Sequence, residues 1–281
     1  MNGFGPKMPV FSELASGIRR LLAPNPSMMT GPGTNTYLFG TREVAVLDPG
    51  PLIESHLDAI VETGSDMIRW ILVTHTHPDH SPAAAELARR TGAELLGRPA
   101  PEGPHQDATF VPDRILIDGE RLAIDGADIE VIQTPGHASN HICYRHVERN
   151  WIFTGDHVVD GSTVVIDPPD GNMSDYLKSL ARLKAFAPVA LAPGHGELIN
   201  DPIRIIDWLI EHRLQREAKV AIALNANPGL TAMELVPYVY CDVDRKLFAW
   251  AERSLLAHLV KLEQDGRASR QGDMWRGGQD L

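Results

Sequence analysis

Cysteine is scarce in this chain: Cys143 and Cys241 are the only two among 281 residues. A disulfide framework and a thiolate metal site are thereby excluded, and both thiols read as small buried hydrophobes in different domains. Long apolar runs are missing as well. No stretch approaches the roughly 20 residues that cross a bilayer. The opening segment MNGFGPKMPVFSELASGIRRLLAP shows neither an uninterrupted apolar core nor a small-residue cleavage site. A cytoplasmic protein with no membrane attachment is the expectation. Positive charge is also in deficit, with a formal net charge of -11. Residues 203–281 carry 11 Lys/Arg and 11 Asp/Glu, so the whole acidic excess falls in residues 1–202. A broad electrostatic grip on nucleic acid is disfavoured there.

What remains is the composition of a globular protein, 43% hydrophobic and 22% charged. The length suits one large domain with a small appendage. From about residue 36 to 200, short apolar strands alternate with helices: YLFG, EVAVLDPG, the helical ESHLDAIVETG, RWILVTH and the helix PAAAELARRTG. This is an α/β pattern. Ser81-Pro82 reads as the cap and first turn of that second helix. After Arg114 the pattern alternates with period two, with turns at Asp118-Gly119 and Asp125-Gly126, and predicts antiparallel strands through HICYRH and NWIFTGD. A helix is expected over about 174–186, capped by Asn172 or Ser174. The strand Val189–Ala192 then ends in PGHGE. Beyond Asp201-Pro202 the texture becomes helical, and GRASRQGDMWR reads as a hairpin turning at Gly272-Asp273. Three helices and a hairpin predict a winged-helix module.

One segment stands apart from this bland background. THTHPDH, residues 74–80, sets three histidines and an aspartate at the end of an apolar strand. On an extended segment alternate side chains share a face, so His75 and His77 can meet one metal. The chain then turns, and Asp79 and His80 point to a second position. Imidazole and carboxylate suit Zn²⁺ and its neighbours. Four ligands cannot complete two sites, and further candidates follow other strands: His137 in TPGH, Asp156 in FTGD and His195 in PGH. Convergence of those strand ends would build a dinuclear cage. His56, His105, His141, His146, His157, His212 and His258 read as ordinary packed or solvated histidines. His258 falls on an apolar helical stripe, and His141 and His157 stand at most behind the ligands.

HxHxDH, TPGH, TGD and PGHG together resemble the ligand motifs of the metallo-β-lactamase fold superfamily. NPSMMTGPGTNTYLFG, GDHVVDGSTVVIDPPDGNMSDYLKSLARL and PGHGELINDPIRIIDWLIEHRLQRE are similar to the lactamase-beta-like protein 2 type, with its C-terminal winged helix. The resemblance implies an αββα sandwich over 1–202 and a winged-helix domain over 203–281. It assigns His75, His77 and His137 to a first zinc, Asp79, His80 and His195 to a second, and Asp156 to a bridge between them. Mn²⁺ or Fe²⁺ would be accepted too. Asp79 is the proton-transfer candidate, beside a metal-bridging hydroxide. Asn35, Thr36, Ser162 and Thr163 match family-typical loops near the cleft, and read either as substrate-positioning residues or as ordinary turn chemistry. The bridging aspartate argues against antibiotic hydrolysis, because true β-lactamases of the family lack it.

Three function classes follow. The family contains a single-stranded-RNA endonuclease, and related members act as thioesterases on acyl substrates. A phosphodiester or a thioester, ester or lactone is therefore the expected substrate. A metal-sensing DNA-binding protein is the third class. Its supposed recognition helix, AWAERSLLAHLVKLEQ, carries only Arg253 and Lys261 as cations, which equips it poorly for duplex DNA.

Overall fold

The structure, a computed structural model, describes residues 10–278. Residues 1–9, at the start of the opening segment, and 279–281, at the end of the Gly-rich tail, lie outside them. The chain divides into two compact units. The first holds the residues up to Thr134, Asn140–Thr163 and Leu183–Pro202. The second holds Pro135–Ser139, Val164–Arg182 and the residues from Ile203.

In the first unit, β1 (Val10–Ala15), β2 (Ile18–Leu22), β3 (Asn35–Phe39) and β4 (Val44–Leu47) pair antiparallel in chain order. After α1 (Glu54–Gly64), β5 (Ile68–Leu72) joins β4 in parallel. After α2 (Ala84–Thr91), β6 (Glu94–Gly97) and β7 (Arg114–Ile115) extend the same seven-stranded sheet. A second sheet contains β8 (Arg121–Ile124), β9 (Ala127–Gln133), β10 (Ile142–His146), β11 (Trp151–Gly155) and β12 (Ala190–Pro193). It is antiparallel except where β12 runs parallel to β11.

Strand alternation decides which core each side chain joins. Ala45 and Leu47 of β4, with Tyr37 and Phe39 of β3, meet Val131, Tyr144 and Phe153 of the second sheet. The intervening Val44, Val46 and Leu38 face the opposite way, onto Leu57 and Ile60 of α1 and Leu87 of α2. Burying each such side chain is worth about 1.5–3 kcal/mol, so a one-residue slip in β4 would empty both cores at once.

Several local expectations are revised. β7 is not part of the antiparallel series after Arg114; it adds to β6 in parallel, so the Asp118-Gly119 turn links two sheets. The Asp125-Gly126 turn does close the β8–β9 hairpin, with both residues at positive φ, 47° and 86°. Ser81 does not cap α2. Its hydroxyl donates to Asp107 Oδ2 at 2.6 Å, and the helix starts after Ala83 without a side-chain cap. Cys143 is buried as expected, whereas Cys241 is exposed.

In the second unit, α3 (Met173–Ala185, reaching into the first unit at its end) is capped by Asn172 Oδ1, which accepts from Asp175 N–H at 3.1 Å. The C-terminal module contains α4 (Pro202–Ala226), α5 (Ala232–Val239) and α6 (Phe248–Gln264). A three-stranded sheet completes it, built from β13 (Leu230–Thr231), β14 (Ala268–Gln271) and β15 (Met274–Gly277) in the order β13-β15-β14. Thr231 and Glu234 form a reciprocal capping box at α5. The β14–β15 hairpin turns at Gly272-Asp273, and Trp275 is buried with Leu235, Leu255 and Leu259. His258 is buried on α6 as its stripe predicts. No helix among the described residues is long and apolar enough to cross a membrane.

Candidate metal centre

Parallel pairing explains why ligands from distant sequence positions can meet. β4 and β5 lie side by side in the same direction, so Asp48 and the segment beginning at Thr74 leave the sheet at one edge. β11 and β12 do the same for Asp156 and His195. The two edges are tied together. Tyr37 of the first sheet donates its hydroxyl to Pro193 O at 2.7 Å, and Tyr144 of the second donates to Val73 O at 2.9 Å.

Each imidazole is oriented by its Nδ1. His80 Nδ1 lies 3.0 Å from Asp48 Oδ2, and His195 Nδ1 lies 3.1 Å from Gly33 O. Neither oxygen can donate, so both rings carry the proton on Nδ1 and present Nε2 to the site. For His75 the partner is Thr74 Oγ1 at 3.0 Å. That hydroxyl spends its hydrogen on Asp48 Oδ2 at 2.8 Å, so His75 Nδ1 is again the donor. His75 Nε2 then faces His77 Nδ1 at 3.0 Å. In the second unit, His137 Nδ1 donates to Val165 O at 2.7 Å, so this ring too carries its proton on Nδ1.

Asp79, His80, Asp156 and His195, all in the first unit, each offer one ligand atom within 4.8 Å of the others. His195 Nε2 is 3.1 Å from Asp79 Oδ2 and 3.2 Å from Asp156 Oδ1; His80 Nε2 is 3.6 Å and 3.3 Å from the same two carboxylate oxygens. Burial opposes a proton on His80, but Asp79, Asp156 and Asp48 outweigh it and raise the pKa well above the ordinary value. Burial likewise opposes charge on His195, and Asp156 then Asp79 push it up to about 10. The carboxyl of Asp156 moves the other way: burial would raise it, yet His195 and His80 hold it well below its usual range. Asp79 is lowered by His80 and His195 against burial and the charge of Asp156. Two carboxylates this close need positive charge between them. The buried His80 Nε2 has no hydrogen-bond partner among the described residues, which suits a position reserved for a cation.

The comparisons agree with this chemistry. Residues 29–195 match the Metallo-beta-lactamase superfamily. The chain belongs to that superfamily. Residues 231–275 match the Beta-lactamase associated winged helix domain, so the helical module with its hairpin is a winged helix of that kind. The chain is 32% identical over 282 residues to the beta-lactamase-like protein 2 homolog of Drosophila melanogaster, covering 95% of each. It is 28% identical over 280 residues to an atrochrysone carboxyl ACP thioesterase of Aspergillus fumigatus, covering 93% of this chain and 86% of the relative. A beta-lactamase domain protein from Burkholderia ambifaria has the same fold, with a TM-score of 0.80 at 23% identity over 95% of this chain and 93% of that one. The protein is thus a hydrolase of the metallo-beta-lactamase superfamily, whose fold implies divalent metal ions.

Among the candidate substrate residues, Asn35 and Thr36 turn inward. Asn35 is 1% exposed and Thr36 is fully buried. Asn35 Nδ2 donates to Pro193 O and Gly196 O at 3.0 and 2.9 Å, so it shapes the PGHG loop that carries His195. Thr36 Oγ1 donates to Asp48 O at 2.7 Å and accepts from His56 Nε2 at 2.8 Å. Both side chains are thus engaged by the fold, Asn35 with the PGHG loop and Thr36 with Asp48 and His56. Ser162 is exposed and Thr163 half-buried. His141 stacks on His75 at 5.0 Å and bonds Thr134 Oγ1 through Nδ1, which places it beside a candidate ligand. Asp48 was not among the candidates from sequence, although it fixes both His80 and Thr74. An aspartate ending the buried strand Val44–Leu47 just before Pro49-Gly50 is the signal that could have found it.

Proposed function

We propose that this protein is a two-metal hydrolase of an acyl thioester or ester. His75, His77 and His137 would hold one divalent cation, Asp79, His80 and His195 a second, and Asp156 would be shared. The observation that carries the reading is the compact set of two carboxylates and two Nε2-presenting imidazoles at the edge of the sheets. Zn²⁺ fits these ligands best, with Mn²⁺ or Fe²⁺ as alternatives. Bound there, such ions acidify water toward neutral pH and polarise the scissile carbonyl.

The chain's own residues supply orientation and proton handling. Nδ1–H bonds fix the rings of His75, His80 and His195 before substrate arrives. Asp79 is the better exposed carboxylate of the pair, 26% against 14%, which supports giving it the role of passing a proton between water and leaving group. Ser162 and Thr163 offer hydroxyls to a substrate. An acyl substrate is supported by the acidic excess of residues 1–202, which repels a polyanion, and by the thioesterase among the relatives.

The test is hydrolysis of a short acyl thioester by the zinc-loaded protein and by Asp156→Ala, with a fluorogenic single-stranded RNA in parallel. Thioester turnover should fall at least about 10²-fold in the variant with its circular dichroism unchanged. RNA cleavage that disappears in Asp156→Ala and weakens steeply with added salt would replace the acyl reading by phosphodiester hydrolysis.

A further inference from the structure

His137 sits on a loop that the second unit holds from several sides. Gly136 in this loop has φ of 145°, and a Cβ there would lie 2.4 Å from Tyr176 Cα, so the loop is pressed against the first turn of α3. The Nδ1–H of His137 donates to Val165 O at 2.7 Å and sets the ring's tautomer. What holds Val165 is unexpected. Arg213 of α4, only 3% exposed, donates Nη2–H to Val164 O at 2.5 Å, and its guanidinium lies over the Tyr176 ring at 5.4 Å. Arg253 of α6 forms an ion pair with Asp167. The carbonyl that orients His137 is therefore clamped on both sides along the chain by cations of the C-terminal helices.

We infer that the winged-helix module positions a metal ligand: Arg213 and Arg253 fix the Val164–Asp167 segment so that Val165 O holds His137 on Nδ1 and leaves Nε2 for the cation. This rests on the two-metal reading above. The chemistry is direct. A ring released from Val165 O can rotate or move its proton to Nε2, and an Nε2 that carries hydrogen cannot ligate. Arg213 reaches Val164 O, one residue before the carbonyl that orients His137, with one end of its planar fork while its face covers Tyr176, a combination that lysine cannot reproduce. The module thus has a function that needs no nucleic acid.

The two arginines would also strengthen packing, so the test must separate positioning from stability. Full-length protein stripped of metal is titrated with Co²⁺ against a chromophoric chelator, reading d–d absorption, for wild type, His137→Ala, Arg253→Ala, Arg213→Lys and the exchanged pair Arg253→Asp with Asp167→Arg. Wild type should take two equivalents and His137→Ala one. Arg253→Ala and Arg213→Lys should weaken that same equivalent about 10–100-fold, as loss of an orienting partner does, and leave the other unchanged. The exchanged pair should recover most of the loss. Folded single variants that bind both equivalents like wild type, or lose both equally, overturn the positioning role. Should Arg213→Lys not fold, Arg253→Ala and the exchanged pair decide. If His137→Ala still takes two equivalents, the two-metal ligand assignment has failed, and this inference with it.

Discussion

The carboxylate of Asp48 accepts three hydrogen bonds within a site it does not itself ligate: from Thr74 N–H at 2.7 Å, Thr74 Oγ1 at 2.8 Å and His80 Nδ1–H at 3.0 Å. An amide at this position must aim its own hydrogens at one of those donors. Asp48→Asn is therefore expected to keep the fold and lower metal affinity about 10–100-fold, by releasing the tautomer of His80. Chelator competition checks this, and wild-type affinity would remove Asp48 from the centre. Gly194 makes a second case. A Cβ there would lie 2.8 Å from both Asp156 Oδ1 and His80 Cε1, which explains why the loop before His195 needs glycine. Gly194→Ala should lower turnover on the order of 10²-fold, through displacement of the Asp156 carboxylate. Full activity together with intact metal content would show that the loop can yield.

Elements contribute through what they bury. His258 lies on α6 with neither ring nitrogen hydrogen-bonded among the described residues, and burial, then Arg213, Arg216 and Lys261, push its pKa down to about 3. The unfolded chain takes up this proton below pH 6.5 and the folded one only near pH 3, so its contribution to stability is present above 6.5 and lost as pH falls between those values. Each unit of pH in that window should cost up to about 1.4 kcal/mol. Urea unfolding at several pH values, compared with His258→Phe, measures it. The variant should show a flatter acid limb, and parallel curves would place the proton uptake elsewhere. The same helix carries Arg253, so acid loosening of α6 and weaker binding at His137 should appear together.

For the whole molecule, the strongest expectation concerns metal removal. A cation that binds only the folded chain at 1,000 times its dissociation constant adds about 4 kcal/mol. Chelation should therefore lower the melting temperature by several degrees and abolish turnover, with both restored by re-addition of Zn²⁺. Melting that is indifferent to chelator, in protein shown to have bound metal, would mean that the site is not coupled to folding. The chain has two compact units, so more than one transition can occur, and the shift should be read on each separately.

Much of the fold and of the candidate ligand set was legible in the chain because their signals are local. HxHxDH places its donors within six residues, the Asp125-Gly126 turn closes its hairpin, and the stripes of α4 and α6 mark a helical module ending in a wing. Other features had no such trace. The direction of β7, the true start of α2 and the inward turn of Asn35 and Thr36 depend on neighbours far along the sequence. Asp48 reaches His80 across 32 positions. Val165 contributes a carbonyl, a group that every residue carries and no sequence pattern can flag. Residue types and their spacing determined which chemistry this protein could perform. Only the tertiary structure decided which oxygen holds each imidazole, because hydrogen bonds to distant backbone are set by packing and leave no periodicity behind.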